Sequence, residues 1–140
     1  MRIGERVYTP RVMPGAADLI VGLERLEALR AAVRMLKAGG RVVYYDTVYQ
    51  PIHVRMGRAA YPGADDLVRA VGARGGRLER VFLEDLPDAR MQNVALLGVL
   101  GRLGAIPGVD AAVMERALRE GVPPRLLEKN LAVFKQAMAG

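Results

Sequence analysis

The sequence has no cysteine, no serine and no tryptophan, only two threonines (Thr9 and Thr47) and a single histidine, His53. Without Cys or Ser it cannot supply a thiolate or serine nucleophile, a cysteine-ligated zinc site or an iron–sulfur cluster. Hydrolysis by a self-contained triad is excluded. His53 has no second His, Ser or Cys to partner it, so no residue is assigned as catalytic. The dinucleotide fingerprint G-x-G-x-x-G and the phosphate loop G-x-x-x-x-G-K-[ST] are both missing. No apolar run reaches the ~18 residues of a membrane span, and no charged-then-apolar leader follows Met1. A cytoplasmic protein with no membrane partner is expected.

Lysine is scarce as well. The formal charge of +6 rests on 18 Arg and 3 Lys set against 15 acids. Residues 1–41 hold 8 basic and 4 acidic side chains, 42–83 hold 6 and 4, and 84–140 hold 7 and 7, so the excess lies in the first two thirds. Arginine binds phosphate and carboxylate through two parallel hydrogen bonds and tolerates burial in interfaces, which favours an anionic ligand or a protein partner. No basic run resembles a nucleic-acid-binding tail, and no nucleic-acid partner is expected. The few Asn and Gln, with no Cys, fit a heat-adapted host.

At 140 residues and 51% hydrophobic composition, a single domain spanning 1–140 is expected. Residues 2–8 (RIGERVY) read as a short strand or hairpin arm. Residues 17–23 (ADLIVGL) read as a strand buried on both faces. The stretch 24–37 places Leu26, Leu29, Val33 and Leu36 at helical spacing and stops at Gly39-Gly40. Residues 41–46 (RVVYYD) form a second strand, completing a right-handed βαβ unit. A short strand over 52–56, a helix over 64–73 and a strand over 78–83 follow. Helices over about 87–103, 110–119 and 124–138 end the chain, with Asp110 as a cap and Pro123-Pro124 before the last. The fold class is α/β: a Rossmann-like, mostly parallel sheet flanked by helices, with a helical C-terminal part. The sheet has few strands and no helix before its first, so either an edge or face covered by another chain or an absent upstream βα unit is expected.

The stretch 44–61 holds four of the five tyrosines, His53, Arg55 and Arg58, after the carboxyl end of a parallel strand, where open α/β sheets bind ligands. Tyr with Arg is also typical of protein interfaces. Asp46, Thr47, Tyr49, His53, Arg55 and Arg58 are therefore binding or interface candidates. Glu24 joins them at the end of the strand over 17–23, although Glu24, Glu27 and Arg30 are also spaced for ordinary intrahelical pairing. Asn93, in the apolar run NVALLGVL, is expected to be a buried or semi-buried amide tying its helix to a neighbouring loop. Gly98, Gly101 and Gly104 line a flank suited to close backbone packing.

ADLIVGLERLEALRAAVRMLKAGGRVVYYDT, NVALLGVLGRLGAIP and LEKNLAVFKQA together resemble the gamma subunit or domain of 2-oxoacid:ferredoxin oxidoreductases, the pyruvate/ketoisovalerate oxidoreductase catalytic domain family. The matching positions are Ala17, Asp18, Glu24, Glu27, Arg30, Gly39, Gly40, Thr47, Asn93, Leu97, Gly98, Leu100, Asn130 and Phe134. Asp46 stands where the family usually has Asn, and the family's glycine-rich opening βα unit has no counterpart before Met1.

The resemblance implies a subunit without cofactors of its own, of an oxidoreductase of the indolepyruvate and pyruvate type. Thiamine diphosphate, iron–sulfur clusters and, where used, coenzyme A would belong to larger partner subunits, whose assembly and active-site closure this part supports. Two further readings stand beside it: a free-standing module binding an anion or nucleotide through Arg55, Arg58 and the Tyr-rich loop, and a structural paralogue closing its own edge as a homo-oligomer.

Overall fold

The computed structural model of the chain describes residues 1–49, 55–57 and 60–140. Its elements are β1 (Ala17–Gly22), α1 (Arg25–Met35), β2 (Leu36–Tyr45), α2 (Ala64–Gly72), β3 (Arg77–Val81), a 3-10 turn (Ala89–Met91), α3 (Gln92–Arg102), α4 (Ala111–Gly121) and α5 (Pro124–Ala139). They fall into two compact units, Met1–Arg80 and Val81–Gly140.

In the first unit a three-stranded parallel sheet has the order β1-β2-β3, which leaves β1 at an edge. Ile20, Val42 and Tyr44 of the sheet share one core with Ala28 and Ala32 of α1, Leu67 and Val71 of α2, and Leu36. Both helices therefore cover the same face. The stripe expected to bury α1 does so only in part: Leu29 packs against the core and Leu36 is buried, but Val33 is 57% exposed, and the fully buried residues of the helix itself are Ala28 and Ala32. The reason is proximity, because a Cβ on Gly22 would lie 2.7 Å from the Ala28 Cβ, so α1 rides too close to β1 for anything larger than alanine.

The helix also stops short of its expected end. Leu36 is extended (φ −65°, ψ 128°) and opens β2, and the glycine pair lies inside that strand. Ala17 pairs with Leu36 but Leu19 with Arg41, a register shift that Gly39 (φ +71°) and the tightly packed Gly40 accommodate. Residues 2–8 form no strand: they are exposed, and among the described residues no strand pairs with them. Most of the strand expected over 52–56 lies outside the described residues.

Arg74 fastens the amino end of this unit. Its guanidinium donates to the carbonyls of Val33 and Leu36, both at 2.7 Å, and so satisfies the end of α1 from the turn before β3.

The second unit is helical. A Cβ on Gly98 would lie 2.5 Å from the Phe134 carbonyl oxygen, and one on Gly101 3.1 Å from the Ala111 Cβ, so two of the three spaced glycines let α3 approach α5 and α4. Gly104 (φ +53°) instead closes α3 in a Schellman turn, with Ala105 N–H donating to the Leu100 carbonyl. Asp110 caps α4 through the Val113 N–H, as its sequence position suggests. Among the described residues no helix is long and apolar enough to cross a membrane.

Candidate functional site

β2 runs into Asp46 at the carboxyl edge of the sheet. Alternation along the strand turns Asp46 to the same side as Val42 and Tyr44, the side that carries α1. Arg25, the first residue of α1, and Arg80, near the end of β3, converge on it. Arg25 grips Oδ1 through Nε at 2.8 Å and a terminal nitrogen at 2.7 Å, while Arg80 Nε donates to Oδ2 at 2.5 Å. The Asp46 side chain is 2% exposed and that of Arg80 59%, so the cluster has a closed floor and an open rim.

Further bonds hold Arg25 in place. Its backbone N–H donates to the Thr47 carbonyl at 3.3 Å, its remaining terminal nitrogen reaches the Pro62 carbonyl at 3.4 Å, and its charge sits 6.0 Å from the Tyr61 ring centre. The Tyr61 hydroxyl is buried with no hydrogen-bond partner among the described residues.

Burial is the largest single influence on the Asp46 carboxyl and pushes its pKa up. The hydrogen bonds and charges of Arg80 and Arg25 together outweigh it, and Asp46 titrates below its ordinary 3.8. Burial first, and then the Asp46 charge, push the Tyr44 phenol up. An anion this firmly ionised neither gives nor takes protons near neutral pH, but it can hold two cations and three elements in register.

Of the sequence candidates, Asp46 and Thr47 take part in this cluster. Glu24 adjoins it, but its carboxylate is spent capping α1, accepting from Leu26 N–H (2.9 Å) and Glu27 N–H (3.1 Å). Glu27 pairs with Arg30 at 2.6 Å, as the helical spacing suggests. Tyr49 is 77% exposed just beyond β2, and Arg55 is exposed. His53 and Arg58 lie outside the described residues.

The expectation for Asn93 fails. It is an exposed residue on the first turn of α3, in the second unit, and its Oδ1 accepts from the next backbone N–H, Val94, at 2.9 Å. The unpaired donors of a helix's first turn, rather than a neighbouring loop, supply its partner. The buried amide of that unit is Asn130, which donates to the Leu126 carbonyl at 2.7 Å.

Tyr61 belongs to the Tyr-rich stretch 44–61, whereas Arg25 and Arg80 stand outside the sequence candidates. Alternation in β3 places Arg80 on the same side as Leu78, and that was the available signal. Among the described residues no group of three or more His, Cys, Asp or Glu could hold a metal ion.

Residues 1–140 match the family model described as pyruvate ferredoxin/flavodoxin oxidoreductase. The chain is 33% identical to indolepyruvate oxidoreductase subunit IorB of Thermococcus kodakarensis, over 96% of this chain and 68% of the relative. It is 32% identical to the subunit of the same name from Pyrococcus horikoshii, with the same coverage of both chains. The Methanothermobacter thermautotrophicus subunit is 28% identical over 96% of this chain and 69% of its own length.

Proposed function

Since this chain belongs to the pyruvate ferredoxin/flavodoxin oxidoreductase family, we propose that it serves as the small subunit of a 2-oxoacid:ferredoxin oxidoreductase of the indolepyruvate type. The observation that carries this reading is the match of 96% of the chain to relatives named as subunits of indolepyruvate oxidoreductase. The family resemblance implies that the iron–sulfur clusters and the thiamine diphosphate that acts with them belong to a larger subunit, and the absence of cysteine from this chain is consistent with that division. Coenzyme A, where used, meets that subunit too.

This chain contributes assembly and closure. The clamp of Asp46 with Arg25 and Arg80 supports such a role because it fixes the carboxyl edge of the sheet, where a partner's active site would be sealed, without itself titrating near neutral pH.

Anaerobic capture of the chain from its own host, with a visible spectrum and mass spectrometry of the eluate, tests the reading. A brown eluate containing a larger cysteine-rich chain is expected. Indolepyruvate-dependent reduction of an electron acceptor should need both chains. A colourless eluate holding this chain alone, or full activity of the larger chain after this one is stripped away, overturns it.

A further inference from the structure

We propose that the open edge of β1 is the docking surface for the larger oxidoreductase chain, which meets it with an apolar centre flanked by carboxylates; this rests on the subunit reading above. Three observations on the first unit converge there.

The first is exposed apolar area. Val21 is 46%, Leu23 53%, Val48 48% and Tyr49 77% exposed. Val21, paired with Val43, and Leu23 lie on β1 and just past its end, while Val48 and Tyr49 follow β2 at the carboxyl end of the sheet, where Arg25 N–H donates to the Thr47 carbonyl. On β2 the row facing the same way as Val21 is closed to solvent, with Val43 at 0% and Tyr45 at 3%. On β1 the same row is open to solvent at Val21.

The second is backbone. Among the described residues β1 pairs only with β2, so its outer side presents a row of amides and carbonyls that another strand can join.

The third is charge. Met1–Arg80 carries 14 basic and 8 acidic side chains, whereas Val81–Gly140 carries 7 of each, so the whole excess of +6 belongs to the unit that holds β1. Arginines border the strand: Arg11 in the segment that leads to it, and Arg34, whose carbonyl accepts from Gly15 N–H. Asp18 is the one acid on β1, and Lys37 already neutralises it. Tyrosine and arginine with almost no lysine is the composition of an interface centre, and a positive border selects a negative partner surface.

The test measures binding of the purified larger chain to full-length wild type and to Val21→Asp, Leu23→Asp and Val68→Asp. Val68, 55% exposed on α2, controls for adding a carboxylate to an exposed apolar site. Circular dichroism first establishes that each variant is folded. Affinity is expected to fall roughly tenfold or more for the two edge variants and to hold for Val68→Asp. Wild-type binding should weaken as ionic strength rises, and amides of β1 should gain hydrogen-exchange protection in the complex.

A complex that forms equally well with both edge variants overturns the docking surface and leaves the subunit reading intact. If wild type binds no iron–sulfur chain, both fall. If β1 is already protected in the isolated chain, the edge is covered by its own 1–16 segment, or by a second copy if sedimentation shows a dimer; either result overturns the proposal.

Discussion

Two arginines reach the nearly buried Asp46 carboxylate from different elements. Removing it strands Arg25, which is mostly buried, more than Arg80, which keeps access to water. Asp46→Ala should therefore lower stability on the order of 3 kcal/mol, measured by urea unfolding. Asp46→Asn keeps an acceptor but not the charge and should cost about half as much. The pH dependence has a definite sign. Because the folded pKa of Asp46 is depressed, its contribution is complete above the ordinary carboxylate value and is lost as pH falls below about 4 through the lower folded value. Asp88, held near 2 chiefly by its hydrogen bond from Arg90, keeps its own acid limb in both proteins. Unfolding midpoints between pH 2 and 6 should thus fall less steeply in Asp46→Asn than in wild type; parallel curves would show that the clamp does not depend on charge.

The elements are joined by close approaches that a hydrophobic pattern does not reveal. Gly98→Ala would drive a methyl group into the Phe134 carbonyl and the Ala137 Cβ, and should cost about 1–3 kcal/mol with a lower melting temperature. Arg74→Ala removes two charged hydrogen bonds from the end of α1 and should cost about 1.5–3 kcal/mol, accompanied by faster amide exchange in the last turn of that helix. These sites mark what was legible and what was not. The order of strands and helices follows from apolar runs and from Gly and Pro punctuation, and the cap at Asp110 from its own neighbours. The burial of α1 through Ala28 and Ala32 could not be read from leucine spacing, because small residues are chosen by distance to β1 rather than by hydrophobicity. Asp46 stood out on the sequence, but its partners lie 21 and 34 positions away, and nothing local names them. Asn93 misled because an apolar run suggests burial, while the first turn of a helix offers a polar residue donors at the surface.

Across the whole molecule, one unit is strongly basic and the other formally neutral, although both carry many charges. Removing equal charge from each should therefore not be equivalent. Replacing the exposed Arg2, Arg6 and Arg34 with Gln should shorten retention on a cation exchanger more than replacing the exposed Arg116, Arg125 and Lys129, provided both variants stay folded. Equal shifts would mean that the matrix responds to total charge alone. The same partition has a practical consequence: on a negatively charged chip or grid, attachment will be made through residues Met1–Arg80. Untagged immobilisation would thus be oriented, and it would hide the basic unit from whatever is flowed past.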